Sequence, residues 1–261
     1  MTASSPSVGD GGMSSATFDV MARLEERHWW FRAKRQLVVD ALGRTRATGP
    51  AADIGCGTGA MVVDLARGGF GPARGIDADE YAIGCAESRF GVERDCRFEV
   101  GRAGVVHLPD DSLGVVCALD VIEHIDDDLS ALTEFRRVLR SGGTLVVTVP
   151  AYRFLWSKHD DRLGHRRRYR RSELVATLRR AGFDVSRATY FHAWLLPIAV
   201  LVRKTPLRRF FDDGAEEASY VHPVVNAVLG SICRVERSVV SRVDLPAGMS
   251  LLAVATVPND H

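Results

Sequence analysis

The stretch Ala52-Asp53-Ile54-Gly55-Cys56-Gly57-Thr58-Gly59 constrains this chain more than any other. An apolar run closes on an acid, three glycines follow at alternate positions, and helical spacing begins at once. That order spells a strand, a tight turn and a helix start. Glycine reaches φ > 0 without a Cβ penalty and lets a ligand approach the backbone closely. The free N–H groups of a helix N-terminus then face that ligand. Eighteen residues past Gly59, a second apolar segment ends in Gly75-Ile76-Asp77. An acid at the end of the second strand of such a unit is placed to hold the two hydroxyls of a ribose. The two features together imply a nucleoside cofactor. A dinucleotide site calls for G-x-G-x-x-G around a pyrophosphate. Here the glycines run G-x-G-x-G, with Asp53 two residues before the first, and a carboxylate there suits an ammonium group better than a phosphate.

From residue 51 onward strand and helix patterns alternate. Strands are expected at 51–54, 73–77, 97–100, 114–119, 144–149, 185–190 and 250–257. Helices are expected at 58–67, 80–89, 129–140 and 172–181, the third stopped by Ser141-Gly142-Gly143 and the fourth capped by Ser172. Such alternation predicts an α/β fold with a parallel sheet covered on both faces. Residues 17–47 read as a helical cap that contains His28-Trp29-Trp30-Phe31-Arg32. Three adjacent aromatics cannot all face one core, so either two pack inward beside a groove or Trp29 or Trp30 roofs a pocket. About sixty residues separate the last two strands, too many for a plain loop, and 191–247 reads as a cap insertion. Its apolar run 194–202 is too short to span a bilayer. Arg203, Lys204, Arg208 and Arg209 follow it, so it is either a cap helix or a helix resting on a membrane surface. The bulk of the chain, 17–257, reads as one domain. Residues 1–16 are rich in Ser, Gly and Ala and read as a disordered tail, not a secretion signal.

With 261 residues and a net charge of +1, the chain has no basic excess to argue for nucleic acid. Its five cysteines lack C-x-x-C pairing and fall mostly in apolar runs, as expected of free thiols in a reducing, cytoplasmic setting.

Asp53-Ile54-Gly55-Cys56-Gly57-Thr58-Gly59 resembles the first motif of class I S-adenosylmethionine (SAM) methyltransferases, with Asp77 as the second-motif acid. The likeness extends from about residue 23 to 256 and is close to the type 11 group, in particular to bacterial members with H-W-W-F-x-x-x-R near the start. Leu108-Pro109-Asp110-Asp111-Ser112 and Asp120-Val121-Ile122-Glu123-His124-Ile125 resemble that group's motifs around the fourth strand. Phe154-Leu155-Trp156-Ser157-Lys158-His159-Asp160 and Gly164-His165-Arg166-Arg167-Arg168-Tyr169 resemble its segment after the fifth. The resemblance implies a Rossmann-like seven-stranded sheet whose last strand is antiparallel and inserts between the fifth and sixth. It implies SAM as cofactor, with Asp53, Gly55, Cys56, Gly57, Thr58 and Gly59 around the methionine half. Asp77 and Ala78 would hold the ribose, Arg102 and Ala103 the adenine, and Asp120 would be a further cofactor-binding residue. Two departures stand out. Gly101-Arg102-Ala103 replaces the family's Gly-Asp-Ala, and Ser112-Leu113-Gly114 replaces Ser-Phe-Asp.

Methyl transfer from a sulfonium needs mainly alignment, worth up to about 7–11 kcal/mol, with a general base when the acceptor is an alcohol or phenol. His124 is the first candidate base, with His165 and His159 beside it; alternatively Glu123-His124 only starts the next helix. Asp120-x-x-Glu123-His124 resembles the E-x-x-E-H metal motif of some other O-methyltransferases, with His159 or His165 to complete it. Asp at 120 has the shorter reach, and no metal is expected. Residues 158–171 carry seven Lys or Arg against two Asp. They read either as a solvated face or as recognition of an anionic acceptor, with Arg168, Tyr169 and Trp30 as acceptor ligands. The expected function is methylation of a small-molecule acceptor, at oxygen in the first instance. The rivals are a membrane-surface enzyme acting on a lipid-linked or glycosylated acceptor and a catalytically silent SAM-binding regulator.

Overall fold

The computed structural model describes residues 14–204 and 221–259. Seven strands form one sheet: β1 (Ala51–Ile54), β2 (Ala73–Asp77), β3 (Cys96–Val100), β4 (Leu113–Leu119), β5 (Leu139–Pro150), β6 (Asp184–Phe191) and β7 (Ser250–Thr256). Their order is β3-β2-β1-β4-β5-β7-β6. Neighbours are parallel as far as β5, while β7 runs antiparallel to both β5 and β6. This is the Rossmann-like sheet that the resemblance implied. The chain reverses its direction of travel across the sheet between β1 and β4, and a ligand crevice opens beyond the carboxyl ends of strands at such a switch point.

Successive strand residues point to opposite faces, and both faces are apolar. Ala52, Ile54, Val116, Ala118, Leu145 and Val147 enter one buried layer. Ala51, Val115, Cys117, Val146, Leu252 and Val254 enter the other. Helices α3 (Ala60–Arg67), α4 (Glu80–Phe90), α5 (Asp128–Val138) and α7 (Arg171–Arg180) make the βα connections, and the short α6 (Lys158–Leu163) precedes α7. Helices α8 (Leu195–Lys204) and α9 (Pro223–Val240) occupy the stretch between β6 and β7. Arg208 and Arg209 lie outside the described residues, as do the side chains of Arg203 and Lys204.

Several local expectations are corrected. Residues 17–47 form two helices, α1 (Ser15–Leu24) and α2 (Trp29–Leu42). The tail expected over 1–16 therefore gives way to helix at Ser15; residues 1–13 lie outside the described residues. The break between α1 and α2 is held from α9, where the Asn226 amide donates to the Arg27 carbonyl and accepts from Trp29 N–H, both at 2.9 Å. Helix α5 ends at Val138 instead of reaching 140, because Leu139 already pairs with Leu113 of β4. Helix α7 begins at Arg171, not after Ser172; the Glu173 carboxylate accepts the Arg170 N–H at 2.8 Å. The departure at Gly114 has a packing reason: a Cβ there would lie 1.8 Å from the Thr48 carbonyl oxygen.

Candidate cofactor and acceptor site

Gly55, Gly57 and Gly59 all take positive φ (73°, 52° and 93°) and turn the chain from β1 into α3. Their lack of a side chain is also used in packing. A Cβ on Gly55 would fall 2.4 Å from Val121 Cγ2, and one on Gly59 would fall 2.8 Å from Phe98. Asp53 sits beneath this loop, 3% exposed, and its Oδ1 has no hydrogen-bond partner. Burial first, and then the nearby Glu25 and Asp77 carboxylates, push its carboxyl well above the usual range. Asp77 closes β2 and accepts from Gly57 N–H at 2.8 Å and Asp79 N–H at 3.0 Å. It therefore ties the glycine loop to the next turn, where Ala78 is exposed. Burial raises Asp77 as well, opposed by those N–H donors. Thr58 is fully buried and gives its hydroxyl hydrogen to Glu25 of the α1–α2 turn, which Arg89 also meets at 2.8 Å. Cys56 is buried in the apolar layer. The N-terminal helices thus lie over the loop: Met21 Cε would come within 3.7 Å of a Cβ on Gly57.

Asp120 follows β4 with φ 56°. Lys34 of α2 meets its Oδ2 at 2.7 Å, and the Thr148 hydroxyl donates to Oδ1 at 2.9 Å. Burial would raise this carboxyl, but the Lys34 charge and the two hydrogen bonds hold it below the ordinary value. Three acids and one Asp–Lys pair therefore ring the crevice. Arg102 is exposed in the turn after β3, where its backbone bridges to Val105. Ala103 is half-buried beside it.

On the acceptor side, His124 ends a 3-10 turn (Ile122–His124) and its ring meets that of His165 edge-to-face, with centroids 4.8 Å apart. Burial, then the neighbouring His165, lowers the His124 imidazole below its ordinary value, while a hydrogen bond to the Leu163 backbone opposes this. His165 Nδ1 lies 2.8 Å from Asp160 Oδ1. His159 sits on α6, is lowered mainly by burial, and is not part of the His124–His165 contact. Glu123 is fully buried, and neither carboxyl oxygen has a partner.

Arg168 and Tyr169 are engaged with partners inside the protein. Arg168 bonds both oxygens of Asp160, at 2.7 and 3.0 Å, as well as the Ala151 carbonyl. Tyr169 is 4% exposed and donates its hydroxyl to Asp128 at 2.7 Å. Both are pillars of the loop after β5. Trp30 is half-buried and stacks on His192, with centroids 4.3 Å apart and planes 23° apart.

Sequence reasoning missed Glu25, Lys34 and His192. His192 follows β6 with φ 54°, is 1% exposed, and leaves Nε2 unpartnered. Burial, then the Lys34 charge, pushes its imidazole down to about 3. No local pattern marks these residues; their roles depend on elements far away in the chain.

Residues 52–147 match the Methyltransf_11 family model, described as a methyltransferase domain. That segment is thus similar to a methyltransferase domain of the type 11 kind. The chain is 32% identical over 167 residues to a probable S-adenosylmethionine-dependent methyltransferase of Mycolicibacterium smegmatis, covering 62% of each. It is 32% identical over 177 residues to one from Mycobacterium tuberculosis H37Rv, covering 65% of this chain and 61% of that protein. The alignments thus span somewhat under two thirds of either relative. Among solved structures, the fold matches a chain from the complex of the Haloferax volcanii Trm112 methyltransferase activator with a putative methyltransferase. The TM-score is 0.62 at 22% identity, over 95% of this chain and 98% of that one.

Proposed function

We propose that this chain binds SAM and transfers its methyl group to a small-molecule acceptor, at an oxygen atom. The observation that carries the cofactor assignment is the unpartnered, buried Oδ1 of Asp53 under a three-glycine turn. A buried acceptor with two further acids nearby calls for a cation, and the methionine half of SAM brings an ammonium and a sulfonium. Asp53 and the backbone of Gly55, Gly57 and Gly59 hold that half. Asp77 holds the ribose, and the Arg102–Ala103 backbone lies along the adenine. When bound, SAM supplies an electrophilic methyl on a good leaving group. The protein's part is to align an acceptor and to keep water out, which α1, α2 and α9 do from above. His124, neutral near pH 7, takes the proton that an acceptor hydroxyl sheds as its oxygen gains the methyl. The lowered His124 imidazole at the rim supports oxygen as the methylated atom.

Thermal unfolding with SAM, S-adenosylhomocysteine (SAH) and NAD tests the cofactor. A ligand at a hundredfold its Kd adds about 2.7 kcal/mol. A rise with SAM and SAH but not NAD is expected; no rise with either at saturation overturns the assignment. A rise without turnover of any acceptor favours the cofactor-binding regulator.

One observation favours a second reading, action at a membrane surface. Val224, Val225, Val228, Ile232, Val235 and Val239 are exposed along one side of α9, with the exposed Arg234 beside them. No helix among the described residues is long and apolar enough to cross a membrane. Contact would therefore be peripheral, with the stripe at the acyl boundary and cations at the headgroups. Sedimentation with anionic liposomes at low salt is expected on this reading, and its failure there removes it.

A further inference from the structure

Among the described residues, Glu123 is the carboxylate with both oxygens buried and unpartnered. It is 0% exposed. Burying a carboxyl in this way costs free energy unless something compensates it. Its neighbours His124 and His165 are arranged to do so. His165 is oriented through Nδ1, which lies 2.8 Å from Asp160 Oδ1. That leaves Nε2 as the ring nitrogen not engaged by Asp160. Asp160 is itself fixed by Arg168 and by the Ser157 N–H at 2.8 Å. The His124 ring packs edge-to-face against that of His165, with centroids 4.8 Å apart. An imidazole tied through one nitrogen to a carboxylate or carbonyl, with the other presented, is the usual supporting arrangement of a metal-ligating histidine.

We propose that Glu123, His124 and His165 form a binding site for one divalent transition-metal cation of the zinc class. One donor atom from each lies within 4.8 Å of the others. Tetrahedral bonds of about 2.0–2.1 Å set donors ~3.3 Å apart, so small side-chain rotations close the set. Two imidazoles and one carboxylate suit zinc, iron or manganese better than the all-oxygen shells of calcium or magnesium. Three protein ligands leave a fourth position open. Asp120 is not one of them, because Lys34 and Thr148 occupy its oxygens, and His159 stands outside the set. The ligands thus differ from the Asp120-x-x-Glu123-His124 pattern, and the expectation of no metal changes with them. The site follows β4 on the crevice rim, and the binding claim does not depend on the methyl-transfer reading; a cation on His124 takes the lone pair that the proposed proton transfer uses, so the two roles are alternatives for that side chain.

The full-length chain, stripped with EDTA and dialysed, is titrated with zinc chloride by calorimetry and with cobalt chloride by visible absorption. One zinc per chain is expected, with d–d bands from low-symmetry cobalt. Glu123→Gln and His165→Ala should each weaken zinc binding more than tenfold and remove the cobalt bands. Glu123→Gln should melt no lower than the parent in EDTA, since it removes a buried carboxyl. It should also keep its SAH-induced shift, which separates failure of this site from failure of the cofactor assignment. His165→Ala leaves Asp160 paired with Arg168 and Ser157 and guards against misfolding of the first variant. No zinc uptake by the parent, or uptake unchanged in both variants, overturns the proposal.

Discussion

Asp53 carries opposite consequences for stability and for binding. Its unpartnered buried oxygen is costly to the free protein, and the same oxygen is what a cationic ligand would find. Asp53→Asn should therefore leave the melting temperature of the free chain unchanged or higher while weakening SAH binding at least tenfold, measured by calorimetry. Retained affinity would count against its role. Gly55→Ala meets two obstacles at once, a positive φ and Val121 Cγ2 at 2.4 Å. A loss of about 1–3 kcal/mol is expected in urea unfolding, from strain and overpacking. His124→Ala should cut turnover about 10²–10⁴-fold if the imidazole is the base. Because burial lowers His124, the acid limb of the parent's pH–rate profile should fall below the ordinary histidine value of about 6.5. His192 has a separate pH signature. Its imidazole is depressed to about 3 in the fold, so the unfolded chain binds the proton first. Its stabilising contribution is intact above about pH 6.5 and is lost as pH falls toward 3, at up to ~1.4 kcal/mol per pH unit. Urea unfolding at pH 7, 5.5 and 4.5 should show a shallower decline in His192→Phe than in the parent.

At the scale of elements, α1 and α2 gain their separation and their position from other parts of the chain. Asn226 of α9 spans the break, Glu25 reaches Thr58 and Arg89, and Arg35 meets Asp64 at 2.7 Å. Asn226→Ala removes two side-chain hydrogen bonds and should cost about 1–3 kcal/mol. It should also loosen the cover over the glycine loop, seen as faster amide exchange in α1 while the strands of the sheet keep their protection. Equal loss of protection throughout would argue against a local role. These contacts explain why the helical cap expected over 17–47 is built as two helices. Nothing between residues 25 and 28 is a strong helix breaker; the break is set by an amide two hundred residues away.

Across the whole molecule, local signals in the sequence determined the sheet. Short apolar runs alternating with helical patterns, glycines suited to positive φ, and an acid closing β2 are properties of a few adjacent residues, and they were legible without coordinates. The antiparallel β7 was legible only through resemblance, because no local pattern states which strands will pair. Partner choice was decided by the tertiary structure alone. Arg168 and Tyr169 looked like ligands for an anion because the run of cations around them is visible in the sequence. Their carboxylate partners, Asp160 and Asp128, became evident only once the loop after β5 had folded against its neighbours. Lys34 meets Asp120, and Trp30 stacks on His192, for the same reason. Backbone propensity acts over a turn or a strand, so sequence spacing can report it. Charge pairing and burial depend on distance in space, so only the folded chain decides which carboxyls, Asp53 and Glu123 among them, are left facing the crevice and its rim without a partner.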